Sequence, residues 1–135
     1  MKYTAIVLAA GKGSRMNSKI HKQFLELEGF PLVYYALRTF ERSRVGEIIL
    51  VTGENELDYC RTQIVEKYQF QKVSRSVPGG SERYLSVYQG LCAVKDTDFV
   101  LIHDGARPFV TEQIIERTIQ AAIAYGSGIA AVPAK

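Results

Sequence analysis

The chain has 135 residues, of which 47% are hydrophobic and 23% charged, a composition typical of one globular domain with a substantial core. Its net charge of +3 is too small to indicate a nucleic-acid partner, and no apolar run is long enough to indicate a membrane partner. The two cysteines have neither CxxC nor Cys/His spacing, which favours a reduced, cytoplasmic setting. Cys60 and Cys92 each fall on the apolar stripe of a predicted helix, so we expect both thiols in the core.

Apolar runs alternate with amphipathic stretches, which predicts strands alternating with helices. The predicted strands cover residues 5–10, 48–51, a short segment around Val73, 99–102 and 129–132. The predicted helices carry apolar residues within 32–40, 57–68, 84–91 and 115–123, and Thr111 is the expected N-cap of the last. Strands that are apolar throughout and separated by helices predict an α/β fold, with a mostly parallel sheet and helices on both faces. The loops at the carboxyl ends of such strands share one edge, where ligands bind.

The first of these loops, residues 11–22, has the composition of a polyphosphate site. Gly11 and Gly13 allow backbone N–H groups to approach an anion closely, and no acid occurs before Glu26. The cations of this opening segment are Lys2, Lys12, Arg15, Lys19 and Lys22. A tight strand-to-helix turn is the structural alternative, but such a turn does not need Arg15 and Lys22.

Two well-known phosphate loops do not fit this stretch. Met16 stands where the third glycine of a dinucleotide-binding G-x-G-x-x-G would be, and only Glu54 could serve as a ribose-binding acid after the second strand. The P-loop pattern G-x-x-x-x-G-K-[ST] is absent. These departures, together with Arg15 in the loop, count against a nicotinamide-dependent oxidoreductase.

Two further loops carry polar groups at the same predicted edge. Asp104 directly follows a buried strand, where a carboxylate can hold Mg²⁺. A turn-capping role, or an ion pair with Arg107 that orders the loop, are the alternatives. For His103 we expect a supporting hydrogen bond rather than the role of general base. Residues 79–86 offer backbone and hydroxyl groups at a helix start, suited to a base or sugar, although their composition also fits a plain loop.

Taken together, these motifs resemble the 2-C-methyl-D-erythritol 4-phosphate cytidylyltransferases of isoprenoid synthesis. The resemblance rests on LAAGKGSRM at residues 8–16, KQFLEL at 22–27, GGSERYLSV at 79–87 with QGL at 89–91, and VLIHDGARPF at 100–109. It runs over essentially the whole chain, with the motifs in the family's order. It implies a Rossmann-like nucleotidyltransferase fold, Mg²⁺ as cofactor, a homodimer, and transfer of CMP from CTP to a sugar-alcohol phosphate with release of pyrophosphate.

The resemblance also implies roles for individual residues. Arg15 and Lys22 match the catalytic positions that stabilise charge on the α-phosphate. The positions implied to bind the nucleotide are Leu8, Ala9, Ala10 and Gly11 through their backbone, Gly13 in the same loop, Gly80, Ser81 and Ser86 around the cytosine, and Asp104. Asp104 also matches the acid that binds Mg²⁺ beside the ribose.

The sequence departs from the family pattern at two places, since His21 replaces the usual proline before KQ and residues 103–108 read HDGARP rather than the commoner HDAARP. Because the chain ends just after a predicted strand, we expect residues 1–135 to be the nucleotide-binding part of a single cytidylyltransferase domain, truncated on the C-terminal side and inactive alone. Methylerythritol phosphate is the expected acceptor. The nearest alternative is a ribitol-5-phosphate cytidylyltransferase of teichoic acid synthesis, whose loop reads closer to HDSVRP. A non-catalytic nucleotide-binding module is a further alternative.

Overall fold

The computed structural model describes residues 1–11 and 21–128, and the strand predicted at 129–132 lies outside them. The strands of the described chain are β1 (Tyr3–Ala9), β2 (Glu26–Leu27), β3 (Phe30–Pro31), β4 (Glu47–Thr52), β5 (Val73–Pro78) and β6 (Phe99–Asp104). The helices are α1 (Leu32–Arg42), α2 (Leu57–Cys60) with a π-helical continuation at Arg61–Glu66, α3 (Arg83–Ala93) and α4 (Glu112–Tyr125). The strands predicted at 5–10, 48–51 and 99–102 are therefore confirmed as β1, β4 and β6. The strand before Asp104 was expected to be buried, but β6 is only partly buried in the described chain, and Asp104 is its last residue.

The main sheet is parallel, with the order β5-β4-β1-β6 in the described chain. β1 pairs with β4 on one side and with β6 on the other, so that Ile6 lies opposite both Ile49 and Ile102. Every residue of β1 is buried, as expected of a central strand covered on both faces. The predicted mostly parallel sheet is confirmed.

One face of the sheet is covered by α1, α2 and α4, which enclose the larger apolar core. α1 contributes Leu37 and Phe40, and α4 contributes Ile115 and Ile119. The spacing of these residues at three and four positions places them on one side of each helix. Hydrophobic burial on this face is therefore the main force that holds the two helices to the sheet.

The opposite face is covered by α3, which approaches the sheet through its smallest residues. A Cβ at Gly90 would lie 2.7 Å from Cγ2 of Ile6, so helix and sheet are in close contact there. The larger residues Tyr84, Tyr88 and Leu91 are exposed, at 70%, 59% and 44%. The apolar spacing over residues 84–91 therefore predicted the helix but not the side that packs on the sheet.

Two sequence expectations about buried residues are wrong. Cys92 lies on the exposed side of α3, whereas Cys60 is buried as expected. Ile123, expected to face inward, is 39% exposed, because the buried residues of α4 end at Ile119. The N-cap of α4 is confirmed, since Oγ1 of Thr111 accepts the backbone N–H of Ile114 at 3.1 Å.

A small antiparallel hairpin, β2–β3, precedes α1 and was not predicted, because each of its strands has only two residues. Its turn places Glu28 and Gly29 at positive φ, 53° and 87°. The ring of Phe30 stacks on Tyr34 of α1, with centroids 4.4 Å apart, and Pro31 stands at the N-cap of that helix.

No helix within residues 1–11 and 21–128 is both long enough and apolar enough to span a bilayer.

Candidate nucleotide-binding site

The loops that follow β5 and β6 begin at the carboxyl edge of the sheet, where β1 also ends. Leu8 near the end of β1 is in register with Asp104 at the end of β6, and the N–H of Gly105 donates to the carbonyl of Leu8 at 2.7 Å. On the other side, the N–H of Gly79 donates to the carbonyl of Thr52 in β4, also at 2.7 Å. The prediction that the loops after β5 and β6 share the edge at which β1 ends is therefore confirmed, and residues 12–20 of the first loop lie outside the described residues.

Gly79 brings the second loop directly against Ala10, the residue after β1. A Cβ at position 79 would lie 2.8 Å from Cβ of Ala10 and 2.5 Å from Oγ of Ser86, so a larger residue would force this loop away from the end of β1. Ser86 is buried, and its Oγ accepts the N–H of Gly80 at 3.2 Å. Ser81 is exposed. Ser86 therefore organises the start of α3, while Ser81 presents its polar groups to solvent.

The carboxylate of Asp104 lies between two guanidinium groups. Nε of Arg83 is 3.4 Å from one carboxylate oxygen, and Nε of Arg107 is 3.5 Å from the other. The ion pair with Arg107 considered from the sequence is thus present, but Arg83 from the second loop shares the same acid. The Asp104 side chain is still 32% exposed, so it remains accessible to a ligand at this edge.

His103, the residue before Asp104, supports the third loop. Its Nε2 donates to the carbonyl of Arg107 at 3.0 Å, which is the supporting hydrogen bond expected from the sequence. The ring packs edge-on against Phe40, with centroids 5.6 Å apart. Burial lowers the pKa of His103, because removing the imidazole from water disfavours its charged form. The neutral ring is therefore a structural part of the loop.

Lys22 lies in a short 3₁₀ turn, Lys22–Phe24, beside the end of β1. Its side chain is exposed, and no ion pair to it occurs among the described residues. The neighbouring Gln23 is buried, and its Nε2 donates to the carbonyls of Ala9 and Gly11 at 2.7 and 3.2 Å. This side chain links the turn to the end of β1, so Lys22 lies at the same edge as the loops that follow β5 and β6.

The structure brings together most of the residues that the sequence singled out. The described ones at this edge are Leu8, Ala9, Ala10, Gly11, Lys22, Gly80, Ser81, Ser86 and Asp104. Gly13 and Arg15 lie outside the described residues. Sequence reasoning missed Gln23 and Arg83, although both fall within the quoted motifs. The only signals in the sequence were that Gln23 is a polar residue next to Lys22 and that Arg83 is a cation within residues 79–86.

A divalent cation at this edge would have to be shared with a ligand. Within residues 1–11 and 21–128 there is no group of three or more His, Cys, Asp or Glu side chains arranged to hold a metal. Mg²⁺ does not need one, because it is commonly held by one or two carboxylates together with water and substrate phosphates. The single carboxylate of Asp104 fits that kind of donor set.

The parallel sheet and the glycine, acid and lysine groups at its carboxyl edge define an α/β domain of the nucleotidyltransferase type. A solved nucleotidyl transferase from Methanothermobacter shares this fold, with a TM-score of 0.67 and 25% identity over 88% of this chain and 57% of that one. The family model described as IspD, 2-C-methyl-D-erythritol 4-phosphate cytidylyltransferase, matches residues 3–135. The chain belongs to this family.

Individual relatives agree with the family assignment. The 2-C-methyl-D-erythritol 4-phosphate cytidylyltransferase of Lachnoclostridium phytofermentans is 51% identical over 87% of this chain and 51% of its own length. The crystal structure of 4-diphosphocytidyl-2C-methyl-D-erythritol synthase from Anaerococcus prevotii matches with a TM-score of 0.73 and 33% identity, over 89% of this chain and 50% of that one. The chain spans about half the length of the curated relatives it matches.

Proposed function

We propose that this chain is the nucleotide-binding part of a cytidylyltransferase that transfers CMP from CTP to 2-C-methyl-D-erythritol 4-phosphate. The observation that carries the proposal is the meeting of four elements at one sheet edge in a chain of this family. These are the end of β1, the turn with Lys22, the loop with Gly80 and the acid Asp104. A nucleoside triphosphate presents a base, a ribose and a chain of anionic phosphates, and this edge offers groups suited to each.

The chemistry requires little from the protein beyond positioning and charge. An oxygen of the acceptor's phosphate, already ionised at neutral pH, attacks the α-phosphorus of CTP. A new P–O bond forms, the bond from the α-phosphorus to the bridging oxygen breaks, and pyrophosphate leaves with that oxygen. No catalytic base is needed. The protein must align the two reactants and stabilise negative charge at the α-phosphate.

We assign this charge stabilisation to Lys22 and, by the family resemblance, to Arg15. Lys22 has an exposed ammonium on a turn that is attached to the end of β1, so its charge is available to a phosphate. The backbone from Leu8 to Gly11, with Gly13, is the proposed support for the nucleotide. Gly80, Ser81 and Ser86 are the proposed cytosine site, Ser86 acting through the loop that its hydroxyl organises.

Asp104 is the proposed Mg²⁺ ligand. When bound there, Mg²⁺ would neutralise phosphate charge during the transfer. Arg83 and Arg107 hold the carboxylate in place in the structure described here, and both guanidinium groups are exposed enough to contact phosphates instead. We further propose that the whole protein is a cytoplasmic homodimer and that residues outside this chain complete the acceptor site.

The test is pyrophosphate release by the complete gene product with CTP and Mg²⁺, with methylerythritol phosphate and ribitol 5-phosphate offered in parallel. We expect release with methylerythritol phosphate. Release with ribitol phosphate alone would move the assignment to teichoic acid synthesis. CTP binding without release in either reaction would contradict the proposal and favour a nucleotide-binding module. A reaction with ATP in place of CTP is the control for base selection.

A further inference from the structure

Gln23 is the one residue of the Lys22 turn whose polar side chain is almost completely buried. Only 3% of it is exposed, and burying an amide is unfavourable unless it is hydrogen-bonded. Its Nε2 donates to the carbonyl of Ala9 at 2.7 Å and to that of Gly11 at 3.2 Å. The two N–H groups of one side chain thus bind two carbonyls at the point where β1 passes into the glycine loop.

The other end of this contact is a stiff part of the backbone. The backbone N–H of Phe24 donates to the carbonyl of His21 at 2.9 Å, and that of Leu25 donates to the carbonyl of Lys22 at 3.1 Å. These two bonds close the turn around Gln23. Phe24 is buried next to it and meets the ring of Tyr59 edge-on at 5.2 Å. A displacement at Gln23 would therefore be passed to Lys22, because the turn has little freedom to absorb it.

We infer that Gln23 is a positioning residue, which holds Lys22 at a fixed place relative to the end of β1 and the start of the glycine loop. The inference rests on the proposed function, in which the positive charge of Lys22 stabilises negative charge on the α-phosphate of CTP. Gln23 itself is buried, so we assign it no direct contact with the nucleotide. It acts through the distance between the Lys22 ammonium and the phosphates that β1 and its loop would support.

The chemistry of the contact explains why an amide is needed. Two carbonyl oxygens require two donors, and the amide of glutamine supplies both from one nitrogen. A carboxylate of the same length has no N–H and would add repulsion between oxygens. Methionine has a similar volume and length but no donor, so Gln23→Met removes the two hydrogen bonds while leaving the side chain buried.

The test is a double-mutant cycle on the complete gene product, using pyrophosphate release from CTP, Mg²⁺ and methylerythritol phosphate. The variants are Gln23→Met, Lys22→Ala and the two together, with Gln120→Met on the exposed side of α4 as the matched control. We expect Gln23→Met to lower kcat by about 10²-fold, the effect typical of misplacing a catalytic group by about 1 Å, with a smaller change in KM for CTP. In the Lys22→Ala background the same substitution should cost less than about threefold, since residues that act as a unit are not additive.

An equal fold-loss in both backgrounds would overturn the inference, because it would show a structural role that does not depend on Lys22. Unchanged kcat in Gln23→Met would overturn it as well. If Gln23→Met does not fold by circular dichroism, Gln23→Asn replaces it in the cycle, since asparagine keeps both donors on a shorter side chain.

Failure of the proposed function is recognised separately in the wild type. If the wild type binds CTP but releases no pyrophosphate, the proposed reaction is wrong, and the same cycle is read from the Kd for CTP. Coupling between positions 22 and 23 would then support the inference, and additivity would overturn it. Absence of both turnover and CTP binding in the wild type would overturn the proposed function and the inference together.

Discussion

Nδ1 of His21 lies 3.0 Å from Oε1 of Glu56, which joins the residue before Lys22 to a 3₁₀ turn, Glu54–Glu56, that follows β4. The family usually has proline at this position. The φ angle of His21 is −65°, the value that a proline ring imposes. This sequence therefore keeps the backbone conformation of proline while adding a side-chain contact to a neighbouring loop.

The His21–Glu56 contact should contribute modestly to stability. Glu56→Gln is expected to lower the free energy of unfolding by about 0.2–1 kcal/mol, because both side chains are partly exposed. His21→Pro should be nearly neutral, since the loss of the contact is offset by about 0.4–1 kcal/mol from a stiffer unfolded chain. Urea denaturation measures both changes. Glu56→Gln should have no further effect in the His21→Pro variant, and Glu54→Gln, in the same turn but in no ion pair within the described chain, is the matched control.

The two cysteines should differ sharply in reactivity. Burial raises the pKa of the Cys60 thiol to about 12, so almost no thiolate forms near neutral pH, and thiolate is the reactive species. Cys92 is exposed. We expect one thiol per folded chain to react with a disulfide reagent at pH 8, and two after unfolding in guanidinium. Cys92→Ser should abolish the native reaction and Cys60→Ser should leave it; rapid labelling of Cys60 in the folded protein would contradict the packing described for α2.

Gly90→Ala should destabilise the contact between α3 and the sheet. The new methyl would be placed 2.7 Å from Cγ2 of Ile6, which is fully buried and cannot move away. Overpacking of this kind costs about 1–3 kcal/mol, more than the roughly 0.5–1 kcal/mol that alanine gains over glycine in a helix. The midpoint of thermal unfolding should therefore fall. At Gly46 the nearest atom to an added Cβ is 3.9 Å away, so Gly46→Ala should change stability by less than about 0.5 kcal/mol.

Lys22→Ala should nearly abolish turnover in the complete gene product. Loss of one charge-stabilising donor typically lowers the rate by about 10²–10³, while the fold should persist because the Lys22 side chain is exposed. Steady-state pyrophosphate release measures the effect. Lys95→Ala removes the same charge before the start of β6, at the opposite edge of the sheet, and should leave the rate unchanged. Near-normal turnover in Lys22→Ala would refute the assignment.

From the sequence, we expect Arg15→Ala to lower turnover about as much as Lys22→Ala does, and Lys12→Ala and Lys19→Ala to lower it less.

Strands and helices that bury a continuous apolar side were predictable from the sequence. β1 and β4 each contain a run of four or more apolar residues, and the cap of α4 follows directly from the hydroxyl of Thr111. The packed side of α3 could not be predicted in this way. Hydrophobic spacing favours Tyr84 and Tyr88, yet the space above Ile6 admits only Gly90, and that limit is set by strands distant in sequence.

In the candidate site, too, some residues were predictable from the sequence and others were not. Residues with an obvious chemical signature, such as Asp104 after an apolar run, could be singled out from the sequence and lie at the edge of the sheet that the topology predicts. Gln23 and Arg83 were missed because their importance comes from partners far along the chain, the carbonyl of Ala9 and the carboxylate of Asp104. Neither composition nor periodicity contains that information.

Because β1 lies at the centre of the sheet, the order in which the strands are synthesised matters for folding. β1 leaves the ribosome before its partners β4 and β6, which begin only at Glu47 and Phe99. Until they arrive, an apolar strand has two open edges, a state prone to misassociation. Pairing between such distant segments is also slow. Asp104 ends the last of these strands, so the nucleotide proposed to bind there would assist folding only after most of this segment has been synthesised.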